Sequence, residues 1–289
     1  TSGDVAEPAA AGDRAAGWVG RLTLQYRREG PRTVAHDRHE GPLRVLQALY
    51  PEGPAVCHHV VVHPPGGIVG GDSLLTTLHA AAGTHALVTT PGAAKFYRSA
   101  GAQAVQQARL RVDDGARLEW LPLEAIAYRG CQACNEVLLD LAPGAQMIGW
   151  DLLALGLPAG GEAFDHGRFT QRLHWPGVWL DHGTVDGQDT RLLDSPLGWA
   201  GQRVLATAWI ACGSGWPAEL RQTLLSVARE QPAAAGVTAG ATSPDARLVL
   251  LRALAPRVEP VMQLLQAVRA AWRQAAWSLA AHPPRIWRT

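Results

Sequence analysis

A short apolar strand, a glycine-containing turn and a second short strand recur four times along this 289-residue chain, about 30 residues apart. The turns are centred on Ala82-Gly83, Asp114-Gly115, Pro143-Gly144 and Pro176-Gly177. Runs of β-branched and aromatic residues bounded by Gly and Pro are typical of strands joined by hairpin-like turns. Repetition at a nearly fixed interval is typical of stacked, solenoid-like β architectures. The sequence therefore predicts a mainly β chain over residues 17–212, either a β-helix-like layered body or an irregular β-sandwich.

Two α-helices are predicted toward the C-terminus. The first covers residues 216–231, with Ser214 as its N-cap and Pro217 in its first turn. The second runs from residue 259 to about residue 281, because apolar residues recur there at helical spacing. Between them, residues 246–254 are predicted to form one more strand.

The composition limits the classes of function. Residues 1–16 lack an apolar core, so we expect a disordered lead-in rather than a signal peptide, followed by a single domain over residues 17–289. Its β body ends near residue 213, and a helix-strand-helix unit with a tail follows. The net charge of +1, the absence of a long apolar run and only four cysteines predict a cytoplasmic protein that binds neither nucleic acid nor membrane.

Three side chains near one strand are candidate metal ligands. Cys57, His59 and His63 are soft or borderline ligands, and alternate residues of a strand share a face. Three ligands on one strand rarely complete a tetrahedral site, so histidines satisfied by other contacts are the alternative. Cys131 and Cys134 form a single CxxC without a second pair, so we expect two incidental thiols, with transient metal capture as the alternative.

Three further segments suggest contact with other proteins. Gly66 and Gly67 follow His63 and two prolines, and such a loop lets another chain approach the backbone closely. It is not a phosphate loop, because it lacks the lysine and leads into a strand. Cationic and aromatic residues typical of interface cores follow at Lys95, Phe96, Tyr97 and Arg98. The alternative is an enzyme in which Lys95 forms a Schiff base or binds phosphate, but the sequence places no base or carboxylate beside it. The tail with Arg285 and Trp287 is expected to dock on the body or on a partner.

An acidic set with nearby histidines is the last group of interest. Its members are Asp151, Glu162, Asp165, His166, Asp181 and His182. Paired carboxylates could perform acid–base chemistry or pass a cation, although such residues on loops are usually solvated.

Several long strings together resemble the urease accessory protein family UreD, called UreH in some organisms. They are HPPGGIVGGD (63–72), TTPGAAKFYRS (89–99), LEWLP (118–122), IGW (148–150) and PRIWRT (284–289). The resemblance extends from about Gly17 to the C-terminus. It implies a β-helix-like body with a pair of helices and no catalytic role.

The same resemblance implies partners and a cargo. It implies binding to the urease apoprotein and to UreF, which carries the nickel-loading GTPase UreG, within a hetero-oligomer. It implies no tightly bound cofactor, with Ni²⁺ present only transiently. Asp72 and Glu162 fall on acidic positions of matching motifs and are the candidates for lining a nickel path. The alternatives are a metal-dependent hydrolase that uses Cys57, His59 and His63, and a binding module of some other assembly.

Overall fold

The computed structural model describes residues 17–288, which form two facing β-sheets and a helical layer. The seven-stranded sheet consists of β1 (Val19–Glu29), β2 (Arg32–Glu40), β5 (Ser73–Ala80), β8 (Ala104–Val112), β11 (Gln132–Leu141), β13 (Arg168–Trp175) and β14 (Trp179–Asp186). The ten-stranded sheet consists of β3 (Arg44–Val45), β4 (Val56–Val62), β6 (His85–Thr89), β7 (Ala94–Phe96), β9 (Arg117–Leu121), β10 (Ala125–Ala127), β12 (Gln146–Leu155), β15 (Val204–Cys212), β16 (Thr238–Asp245) and β17 (Leu248–Ala255).

The centre of each sheet is parallel and the margins are antiparallel. β1, β5, β8, β11 and β13 pair in parallel in one sheet, as do β4, β6, β9 and β12 in the other. From β4 to β13 the chain passes back and forth between the sheets, so each coil adds strands to both. Leu78, Leu110 and Leu139 are neighbours in register and lie buried between the sheets. This stacking of coils confirms the prediction of a β-helix-like body.

The predicted glycine turns fall where the chain changes direction, but three of the four are not hairpins. The turns at Gly83, Gly115 and Gly144 each join a strand of one sheet to a strand of the other. Gly83 and Gly115 have φ of 71° and 67°, a left-handed conformation that glycine adopts without a steric penalty. The turn at Gly177 alone among the four joins antiparallel neighbours, β13 and β14.

Three α-helices occur in residues 17–288, namely α1 (Thr190–Asp194), α2 (Ala218–Arg229) and α3 (Val258–Trp277). Pro217 occupies the N-cap position of α2 without a side-chain hydrogen bond, so the prediction that Ser214 caps this helix is wrong. α3 ends before residue 281 because Ser278 adopts a left-handed conformation. The short helix α1 was not predicted.

The two long helices cover the outer side of the ten-stranded sheet. Leu224 of α2 and Leu265 and Trp272 of α3 are buried there in one apolar cluster with residues of β12, β15 and β17. Trp272 donates its indole N–H to the backbone oxygen of Leu224 at 2.9 Å, which ties the helices to each other. The seven-stranded sheet has no such helical layer within the described part of the chain.

The predicted lead-in, residues 1–16, lies outside the residues that the structure describes. Within residues 17–288, the helices lack the combination of length and apolar character that a membrane crossing requires.

Candidate functional site

The loop of residues 63–72 leaves β4, bends at two prolines and enters β5. The Ile68 N–H donates to the Lys95 oxygen at 2.7 Å, and the Tyr97 N–H donates to the Ile68 oxygen at 2.9 Å. A Cβ atom at Gly67 would collide with the ring of Tyr97, so this glycine permits the close approach. The two predicted contact segments therefore lie side by side, held together by backbone hydrogen bonds. Phe96 is fully buried against Phe169, so its prediction as a contact residue is wrong.

Asp72 closes this loop against the start of β1. Its side chain is only 7% exposed. One carboxylate oxygen accepts the Trp18 N–H at 2.8 Å and the other accepts the Val69 N–H at 3.0 Å. Because both oxygens are bound to backbone donors, this carboxylate serves to hold the loop.

A cavity of about 310 Å³ lies between the two sheets beside this loop. Strands β5, β8 and β11 contribute to one wall, β9 and β12 contribute to the other, and residues 90–95 also line it. His63, Lys95 and Asp151 all line this cavity, whereas Asp72 does not. The structure therefore brings together residues that the sequence analysis treated as separate groups.

Polar side chains form an inward-facing row at one register position of the seven-stranded sheet. Gln106, Asn135 and Gln171 are in register on β8, β11 and β13. The Gln106 amide donates to the Asn135 side-chain oxygen at 3.1 Å. Asn135 donates to one oxygen of Asp151 at 2.7 Å, and Gln171 donates to the other.

Asp151 lies on β12 of the ten-stranded sheet and contacts this row of polar side chains from the opposite side. Its side chain is 4% exposed, and no ion pair involves it among residues 17–288. Burial raises the pKa of Asp151 to about 7, against the lowering effect of the hydrogen bond from Asn135. The cavity thus holds one buried carboxylate whose charge changes near neutral pH.

Glu162 lies apart from this cavity. Its backbone pairs with that of Leu157 through hydrogen bonds of 2.8 and 3.1 Å, and its side chain is exposed. It lines a separate groove of about 430 Å³ with Tyr97, Arg98 and Tyr128. The rings of Tyr97 and Tyr128 contact each other with centroids 5.0 Å apart. The two predicted nickel-path residues therefore do not line one cavity.

The predicted metal cluster does not form in the described residues. Cys57 and His59 are buried on β4, where the His59 ring hydrogen-bonds the Tyr26 hydroxyl at 2.8 Å, while His63 lies beyond the strand end. Burial raises the pKa of Cys57 to about 11 and lowers the pKa of His59 to about 4. Over residues 17–288, no group of three or more His, Cys, Asp or Glu side chains is placed to hold a metal ion. The hydrolase alternative therefore lacks its ligand set.

A buried ion network was missed by the sequence analysis. Arg269 donates to Glu119 at 2.6 Å, and Arg273 donates to both Glu119 and Glu52. His85 hydrogen-bonds Glu119 at 3.0 Å. Burial alone would raise the pKa of Glu119, but Arg269 and the other partners hold it well below its usual range. The sequence feature that could have predicted this network is the pair of arginines, Arg269 and Arg273, which lie four residues apart on the apolar face of the predicted helix.

The C-terminal tail docks on the body next to this network. The Trp287 indole donates to the Thr89 hydroxyl at 2.8 Å, and its ring lies 5.4 Å from that of Trp150. The Arg269 guanidinium lies 5.8 Å from the Trp287 ring centroid. In this structure the tail contacts its own chain, which was one of the two predicted outcomes.

Comparison with known proteins identifies the family. The sequence model described as UreD urease accessory protein matches residues 19–288. This chain belongs to the UreD family. It is 59% identical to urease accessory protein UreD of Leptothrix cholodnii over 94% of this chain and 99% of that protein. It is 53% identical to the UreD of Variovorax paradoxus and 51% identical to that of Methylibium petroleiphilum, each over 94% of this chain and 99% of the relative.

Proposed function

We propose that this chain acts in urease maturation as a scaffold in the cytoplasm. It binds the urease apoprotein and UreF, which carries UreG, while nickel is inserted, and it makes or breaks no covalent bond itself. The observation that carries this proposal is the family match over residues 19–288, together with relatives named urease accessory proteins.

The surface formed by residues 63–72 and 94–98 supports a role in partner contact. Tyr97 and Arg98 are exposed, and they line the groove that also contains Tyr128 and Glu162. Arg98 has no ion pair among residues 17–288. Aromatic rings beside a free guanidinium are the groups that protein interfaces favour. We assign this groove to contact with one of the two partners.

For nickel, we propose that the ion is a transient cargo and that the cavity between the sheets lies on its path. Carboxylate oxygen and imidazole nitrogen both ligate divalent first-row metals, and Asp151 and His63 line this cavity. Burial lowers the pKa of His63, which favours the neutral ring that can bind a metal. Asp151 therefore replaces Asp72 as the interior candidate, and Glu162 stays a candidate in the outer groove.

The scaffold is tested by reconstitution. The purified urease apoprotein is mixed with UreF, UreG, GTP and Ni²⁺, with and without this chain, and complex formation and nickel per urease active site are measured. We expect a complex that contains this chain and higher nickel occupancy when it is present. A chain that binds neither the apoprotein nor UreF would overturn the proposal.

The nickel path is tested in the same assay with Asp151→Asn and Glu162→Gln. Both variants keep side-chain size. For Asp151→Asn, inside the body, we expect normal complex formation and lower nickel occupancy. Glu162 lines the groove assigned to a partner, so the nickel occupancy of Glu162→Gln is compared at equal amounts of assembled complex and should also be lower. Glu230→Gln, at an exposed position after α2, is the control and should behave as the wild type. Unchanged occupancy with both variants would reject the path and leave the scaffold intact.

A further inference from the structure

The outer face of the seven-stranded sheet consists of the side chains that alternate with the buried ones. Arg21, Leu75, Gln107, Glu136 and Arg172 illustrate it, because they are neighbours in register across β1, β5, β8, β11 and β13. All five are exposed or half-buried. This outer face lies on the opposite side of the body from α2 and α3.

The outer face carries an excess of positive charge. Its outward positions hold eight arginines and five carboxylates, a surplus of three positive charges in a chain whose total is +1. Residues 1–16 carry a net charge of −2, so the remaining residues of the described part are neutral in sum. Charge is distributed unevenly even though the overall balance is close to neutral.

Three of these arginines are available to a partner. The side chains of Arg27 and Arg109 hydrogen-bond only to glutamines, and the Arg38 side chain has no hydrogen bond within the described residues. None of the three has a carboxylate partner among residues 17–288. An unpaired surface guanidinium can form a bidentate bond with a carboxylate of another protein.

The centre of the outer face is less polar than its surroundings. Leu75, Val105 and Leu138 are half-buried on the three middle strands, β5, β8 and β11. An apolar centre with arginine around it matches the usual composition of protein interfaces.

The size of the outer face also fits a stable contact. The sheet has seven strands, which lie about 4.8 Å apart, so the outer face is roughly 30 Å wide. Each strand has about eight residues with a rise of about 3.3 Å, so the face is roughly 26 Å long. This is close to the roughly 800 Å² that each partner contributes to a standard interface.

We propose that the outer face is the docking surface for a partner protein whose contact surface carries a surplus of carboxylates. Two copies of this chain would place like charges opposite each other, which disfavours self-association through this face. The inference rests on the proposed function only for the choice of proteins to test.

The test uses the full chain with Arg38→Glu and Arg109→Glu combined, and purified urease apoprotein and UreF as separate probes. Reversal of two charges should raise the Kd for one of them by at least about tenfold, and the wild-type Kd should rise with NaCl. The combination of Arg38→Lys with Arg109→Lys keeps the charge and should retain binding. Arg257→Glu, exposed on the helical side, is the matched control and should stay within about twofold.

The outcomes separate the two proposals. If the wild type binds neither probe, the proposed function fails. If the wild type binds and the charge-reversed variant, folded by circular dichroism, binds equally well, the docking surface is overturned. Two further results would also overturn the docking surface. In both, the charge-reversed variant still binds both probes. It loses either the binding of the wild type to a random DNA duplex or the self-association of the wild type in sedimentation.

Discussion

Arg269 donates to Glu119 at 2.6 Å across 150 residues of sequence, and the two side chains are 2% and 0% exposed. Through this bond and the one from Arg273, α3 is joined to the central strand β9 of the ten-stranded sheet. Glu119 is bound by both guanidinium groups, and Glu52 supplies the second negative charge through Arg273, so these two carboxylates help to fix the position of the helix layer.

Replacement of Glu119 by Gln should destabilise the chain strongly. The change leaves Arg269 buried without a carboxylate partner and Arg273 with Glu52 alone. Loss of one partner of a buried ion pair costs about 3 to 5 kcal/mol. Urea unfolding followed by circular dichroism measures the change in the free energy of unfolding.

Glu40→Gln provides the control for this prediction. Glu40 pairs with Arg21 at 3.1 Å, but both side chains are more than half exposed, so the expected loss is below about 1 kcal/mol. Equal losses from the two substitutions would contradict the role assigned to burial.

The β-helix-like body could be predicted because its signal is local and repeated. Each corner needs a backbone that turns sharply within a few residues, and Gly83 and Gly115 supply the positive φ there. Which sheet the next strand joins is not a local property. The same glycine pattern therefore marks corners between sheets at Gly83 and a hairpin at Gly177.

The site was harder to predict because it depends on contacts between distant segments. Asp72 was identified as an acidic position, but its neighbour Trp18 lies 54 residues away, so no local pattern indicated that backbone donors bind both oxygens. Asp151 was placed with exposed loop acids, whereas the alternation of β12 in a sheet covered on both sides buries it. Glu119 lies in the segment LEWLP (118–122), which was used for the family resemblance, but no ion-pair partner was predicted for its carboxylate.

The raised pKa of Asp151 predicts a pH-dependent effect of Asp151→Asn. Between pH 3.8 and about 7 the unfolded wild type is ionised at this residue while the folded state keeps its proton, so this group lowers stability as pH rises through that window. Asparagine does not ionise, so the Asp151→Asn variant does not lose stability in this way. Its stability relative to the wild type should therefore rise from pH 4 to pH 7, by at most about 4 kcal/mol.

Urea midpoints of both proteins at several pH values between about 4 and about 8 measure this difference. A difference that is the same at all pH values would show that Asp151 is already ionised in the folded protein at low pH.

Asp72→Ala should destabilise the fold, and any loss of nickel delivery should follow from that destabilisation. It leaves the Trp18 and Val69 N–H groups without their acceptor, at about 1 to 3 kcal/mol for each group that stays buried. We expect faster hydrogen exchange at both amides and a lower free energy of unfolding. Asp165→Ala, at an exposed carboxylate, is the control. Unchanged exchange at Trp18 combined with reduced nickel occupancy of urease would restore Asp72 to the nickel path.

Trp287→Ala tests whether the docked tail supports the fold. The substitution removes the hydrogen bond to Thr89 and the ring contacts with Trp150 and Arg269, and the ring is half-buried, so we expect a loss of about 2 kcal/mol.

Trp18→Ala is the matched control for the tail, because the Trp18 ring is largely solvent-exposed and its backbone contact with Asp72 survives the change. Its expected effect is within about 0.5 kcal/mol. Thermal or urea unfolding of both variants gives the comparison. If Trp287→Ala is as stable as Trp18→Ala but binds urease or UreF less well, then the tail contributes to partner contact and not to the stability of the body.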